Sequence, residues 1–79
     1  MEHIYTFHSH FYAIRFHKKL TDANINGVIM PVPRKISSSC GSCVKATDVE
    51  QPLEFIDDGV EQLYHVNEEE LELLYESID

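Results

Sequence analysis

The sequence predicts a small α+β protein of the ferredoxin-like kind, with about four strands, helices on one face and a closing C-terminal helix. Three observations predict it. The 79 residues suffice for one thin core and one domain, 1–79, and leave no room for a nucleotide-binding sheet, a barrel or two lobes. Strand-like and helix-like runs alternate along the chain. The 43% apolar and 25% charged composition is that of a globular protein rather than a disordered one.

Ile4-Tyr5-Thr6-Phe7-His8 is rich in aromatic and β-branched residues and reads as a first strand. Ser9 is placed to cap the next segment. From His10 to Ala23, Ala13, Phe16, Leu20 and Ala23 repeat at three and four residues, and His17 joins that stripe. Arg15, Lys18, Lys19 and Asp22 fall on the other side, so this is an amphipathic helix. Phe11 and Ile14 sit off the stripe. Asn24, Asn26 and Gly27 close the helix and turn the chain.

Val28-Ile29-Met30-Pro31-Val32 is a continuous apolar run, read as a buried second strand that ends near Pro31, which lacks an amide donor. Pro33 to Gly41 reads as a loop and Val44 to Thr47 as a short third strand. Gln51 to Asp58 carries a weak helical pattern through Leu53 and Ile56, with Pro52 in its first turn and Gly59 ending it. Val60 to Val66 alternates imperfectly, as a fourth strand. Asn67 followed by Glu68, Glu69 and Glu70 reads as a capped helix start. Leu71, Leu74, Tyr75 and Ile78 then give one apolar helical face.

The net charge of −8 hides a division. Residues 1–47 carry six Lys/Arg against Glu2 and Asp22, and residues 48–79 carry twelve acids with no Lys or Arg. A negative total argues against non-specific binding to nucleic acid or an anionic membrane, but leaves room for a local anion site in the basic half. No run approaches the ~20 apolar residues of a membrane span. Met1-Glu2-His3 does not open a signal peptide. Both cysteines lie in Cys40-Gly41-Ser42-Cys43 and cannot staple distant segments, so a reduced, cytoplasmic protein is expected.

The chemistry concentrates in Arg34-Lys35-Ile36-Ser37-Ser38-Ser39-Cys40-Gly41. A thiol reacts as its thiolate, which nearby cations and oriented amides stabilise. Arg34 and Lys35 supply cations. Ser37, Ser38, Ser39 and Gly41 supply hydroxyls and amides able to cradle an anion. Cys40 is thus a candidate reactive thiol, against the plainer reading of a small half-buried hydrophobe.

Cys40 and Cys43 also read as half a zinc site. A structural zinc needs about four ligands, completed by His3, His8, His10, His17 or His65, or by a second copy across a dimer axis. A thioredoxin-like dithiol fits less well, because Cys43 precedes a strand rather than sitting in a long helix. His8 and His10 flank the end of the first strand, within reach of the loop. The serines have no evident His/Asp partner for a nucleophile of their own.

Phe7-x-Ser9, Ala13, Leu20 and then Pro31-Val32-Pro33-Arg34-x-Ile36-Ser37-Ser38-Ser39-Cys40-Gly41 resemble the selenium/sulfur carrier-like family of small bacterial proteins. The likeness covers roughly the first two-thirds of the chain. His8, Phe11 and Phe16 depart from the small or polar residues expected there, and Cys43 stands where an aliphatic residue is expected. The resemblance implies a carrier rather than an enzyme. Cys40 would hold sulfur or selenium as a persulfide or selenopersulfide, taken from one protein and passed to another. The departure at Cys43 leaves three readings open: a resolving thiol that attacks the Cys40 adduct, releases the cargo and leaves a disulfide, a metal ligand, or a residue with another job. No cofactor is implied. The alternative is a small dimeric interaction module whose Cys40/Cys43 pair binds zinc or switches redox state.

Overall fold

In the computed structural model, which describes residues 1–38, 40–68 and 70–78, seven elements follow one another. They are β1 (Glu2–Phe7), α1 (His10–Asp22), β2 (Asn26–Pro31), β3 (Ser42–Thr47), a 3-10 turn (Pro52–Phe55), β4 (Val60–Asn67) and β5 (Glu70–Glu76). The strands make one antiparallel sheet in the order β2-β3-β1-β4-β5. β3 lies between β1 and β2 and runs antiparallel to both, so α1 joins two parallel strands split by a third. To that extent the first four strands follow the ferredoxin-like expectation.

Three expectations are corrected. The sheet has five strands, not about four. The segment read as a C-terminal helix is β5, paired with β4. The segment 51–58 holds only the 3-10 turn, so α1 is the one α-helix among the described residues. The β5 error has a definite cause. Tyr64 pairs with Leu73 and Leu63 with Tyr75, so Leu74 has no opposite residue and forms a bulge. The bulge shifts the period-two alternation by one residue, and the resulting 71, 74, 75 spacing imitates a helix. The turn into β5 includes Glu68 in a left-handed conformation at φ 53, which a helix start would not tolerate.

Tyr5, Phe7, Val44, Ala46 and Leu63 face α1 and meet its buried stripe, Ala13, Phe16 and Leu20. Phe16 lies 4.4 Å from the Tyr5 ring and 5.2 Å from Phe7, ring centre to ring centre. Lys19 on α1 reaches the Phe55 carbonyl and the Asp57 carboxylate, both at 2.8 Å, and ties the 3-10 turn to the helix. Burial alone would push the Asp57 carboxyl up. Lys19, the Gly59 amide and Arg15 outweigh it and hold the group below the usual range. Gly59 packs so closely on Tyr12 that a Cβ there would fall 2.5 Å from the ring.

Ile4 and Cys43 face the other way, with Met30, Tyr64, Val66 and Leu71 around them. This second face is covered by Ile36, 6% exposed, which comes from the loop between β2 and β3. β2 is an edge strand and is not buried as expected: Val28 is 56% exposed. An edge strand contacts the sheet on one side only, so an apolar run there leaves part of itself in water.

His3 supplies a pH-dependent prediction. It is 3% exposed, its Nδ1 has no hydrogen-bond partner, and its ring sits 5.2 Å from that of His65. Burial, then the charge of His65, then the terminal amine lower its pKa from 6.5. Below about pH 6.5 the unfolded chain therefore holds the proton more readily than the folded one, and stability falls as pH drops. Asp57 acts only further into acid, since its contribution persists until pH falls below its ordinary 3.8. The urea midpoint should decrease between about pH 7.5 and about pH 5, and His3→Phe should remove much of that slope. An equally steep slope in His3→Phe would assign it elsewhere.

Candidate functional site

The loop between β2 and β3 is closed at its base, where the Val32 amide donates to the Gly41 carbonyl at 3.2 Å. A turn within it is closed by the Ile36 amide on the Pro33 carbonyl at 3.0 Å. Ile36 then drops onto Ile4 and Cys43, so one apolar side chain fixes the loop against the sheet. The basic tip points the other way: Arg34 and Lys35 are both exposed, as are Ser37 and Gly41.

Cys40 stands at the end of this loop, 7% exposed, with its thiol free. The Ser42 amide donates a hydrogen bond to its sulfur at 3.4 Å. The Cys40 amide donates to Ser38 Oγ at 3.3 Å, and Ser38 in turn donates to a Glu61 carboxylate oxygen at 3.0 Å. Glu61 can reach the loop because Thr6 pairs with Gln62 and Phe7 with Val60, leaving Glu61 in a bulge of β4. Bulges re-aim side chains in this way. On the other side, His10 Nδ1 and Ser42 Oγ share a hydrogen bond of 2.9 Å.

The structure thus places Ser38 and Gly41 beside Cys40, and Arg34 and Lys35 at the loop's outer surface. Ser39 lies outside the described residues. Glu61 and Ser42 were not singled out in the sequence, and His10 was noted as being within reach of the loop and as one of the histidines that could complete a zinc site. The one visible trace of Glu61 was the broken alternation at Val60-Glu61-Gln62-Leu63.

Cys43 is a different kind of thiol. It is completely buried beneath Ile36, and its S–H points at the Pro31 carbonyl at 3.7 Å. Burial first, then the nearby Cys40 charge, push its pKa up to about 11. The cation that pulls against this rise is Lys45, two residues along β3, which also pairs with Glu2 at 3.6 Å. A buried thiol held protonated is a poor nucleophile and a poor metal ligand. Among the described residues, no three His, Cys, Asp or Glu side chains gather as a metal cluster. A depression of about 470 Å³ lined by Met1, Asp48, Val49 and Glu50 lies at the opposite end of β1 from the thiols. Among the described residues, no helix is long and apolar enough to cross a membrane.

Near pH 8, iodoacetamide should therefore label Cys40 and spare Cys43 in the folded protein, with the site located by peptide fragmentation. Ile36→Ala should destabilise the fold by about 2–5 kcal/mol and open Cys43 to the reagent. Labelling of Cys43 ahead of Cys40 in the parent protein would contradict this ordering.

No curated protein and no solved structure matches the chain. A family model described as "Putative Se/S carrier protein-like" matches residues 2–76, which extends the likeness beyond the thiol loop and through the β4–β5 hairpin. The chain belongs to this selenium/sulfur carrier-like family.

Proposed function

We propose that the protein carries sulfur or selenium covalently on Cys40 and hands it to a partner protein. The observation that carries this reading is the Ser42 amide aimed at the Cys40 sulfur, in a chain of this family. An amide donor at that sulfur faces the charge that Cys40 carries as the attacking thiolate in loading and as the leaving thiolate in delivery.

In loading, the Cys40 thiolate attacks the terminal sulfur of a persulfide on a donor protein. A new S–S bond forms on Cys40, the donor's S–S bond breaks, and the donor leaves as a thiolate. The terminal S–H travels with the transferred atom. In delivery, a thiolate of the acceptor attacks that terminal sulfur, and Cys40 leaves as the thiolate it was at the start. No net oxidation occurs in either exchange, and the same steps with selenium give a selenopersulfide.

Cys43, sealed and protonated, serves the packing of the second face in this reading. Release then runs to an outside thiol rather than through a Cys40–Cys43 disulfide. Ser38 and Gly41 shape the backbone around the sulfur. Arg34, Lys35 and Ser37 stand at the exposed tip, where they meet donor and acceptor surfaces.

Incubation with a cysteine desulfurase and cysteine, followed by mass spectrometry, should show one added sulfur atom on Cys40. Cys43→Ala should load as the parent does, and Cys40→Ser should not load. Equal loading of Cys40→Ser would overturn the assignment. Stoichiometric zinc in protein purified without chelator, lost in a double Cys→Ala variant, would favour the metal-binding module instead.

A further inference from the structure

We infer that His10 is a positioning residue for Cys40, acting through Ser42; the inference deepens the carrier reading and rests on it. His10 is the first residue of α1 and Ser42 the first of β3, and their hydrogen bond joins two elements 32 residues apart in the chain. Ser42 therefore has two engagements. Its hydroxyl is held by His10 at 2.9 Å, and its amide points at the Cys40 sulfur at 3.4 Å.

The turn between the two cysteines needs such a hold. Gly41, between Cys40 and Ser42, is exposed, and a Cβ built on it would meet open space, so packing does not restrain it. Ser42 pairs with Pro31 at the rung next to the one where the Val32 amide donates to the Gly41 carbonyl at 3.2 Å, so its own amide is turned away from β2. The Val32–Gly41 bond holds the backbone on one side of Ser42, and the Ser42 amide faces the Cys40 sulfur rather than β2. A side-chain latch from the helix adds a second hold, on the residue that carries the sulfur's hydrogen-bond donor. A hydroxyl can donate to or accept from an imidazole nitrogen, so the latch holds in either neutral tautomer.

His10 is exposed and lies outside the packed stripe of Ala13, Phe16 and Leu20, so its replacement leaves the core intact. That separates a positioning role from a structural one. The test is the rate of Cys40 alkylation by iodoacetamide from about pH 6 to about pH 10, read by peptide fragmentation beside a urea unfolding curve. His10→Ala and Ser42→Ala should displace the pH–rate profile toward higher pH. A displacement of one unit lowers the thiolate fraction about tenfold, and the greater nucleophilicity of the more basic sulfur returns about a factor of three. The net loss of rate at neutral pH is then about threefold. His10→Asn, whose side-chain amide stands near the place of Nδ1, should restore the parent profile. The unfolding midpoint should stay the same throughout.

An unmoved profile in His10→Ala, or no recovery in His10→Asn, would overturn the inference. Iodoacetamide reads the sulfur without cargo. A parent protein that takes no sulfur therefore sinks the carrier reading and leaves the latch measurable. An unmoved profile in a protein that loads sinks the latch alone.

Discussion

A sheet with two faces needs two covers, and the described residues of this chain supply one α-helix. α1 covers the face of Tyr5, Phe7, Val44, Ala46 and Leu63. The other face holds Ile4 and Cys43, too apolar to leave in water, and the cover it receives is a loop pinned by Ile36. The rest of the site depends on that substitution of loop for helix. A loop used as a cover has its apolar residue turned in and its polar residues turned out, so Cys40 arrives at the boundary between them.

The difference between the two cysteines follows from the same arrangement. Cys43 belongs to a strand, and strand alternation sends it under the cover. Cys40 belongs to the cover itself. Two side chains from outside the loop then set its backbone, Glu61 through Ser38 and His10 through Ser42. Glu61 is available because a β4 bulge takes it out of register, and His10 because α1 begins beside the start of β3. Hydrogen bonds to charged or reactive groups hold geometry best when their donors are fixed before the chemistry begins.

What could be read in the residues divides along physical lines. α1 was legible because Ala13, Phe16 and Leu20 all face one layer and the period is unbroken. β1 was legible from its aromatic and β-branched composition, and the thiol loop from its Pro, Ser and Gly content. β5 was not, because one bulged residue at Leu74 converts a strand pattern into an imitation of a helix. Its three leading glutamates also suit a helix start in the absence of any knowledge that β4 offers an open edge. Glu61 and His10 were hidden for another reason. They act on the loop through serines 23 and 32 residues away, and no local pattern reports a contact of that range.

The charge division is likewise a property of the chain rather than of the molecule. Arg15 pairs with Asp57 and Asp58, Lys19 with Asp57, and the terminal amine with Asp48. Each joins the basic half to the acidic half. Exposed pairs of this kind add little stability one by one, typically about 0–1 kcal/mol, so their effect is to cancel field rather than to hold the fold. Arg34 and Lys35 stand exposed on the loop's outer surface. Glu61 accepts from the Ser38 hydroxyl, which in turn accepts from the Cys40 amide. The sulfur itself accepts a hydrogen bond from the Ser42 amide at 3.4 Å. A short-range directional donor is less affected by salt than the surface charges around it.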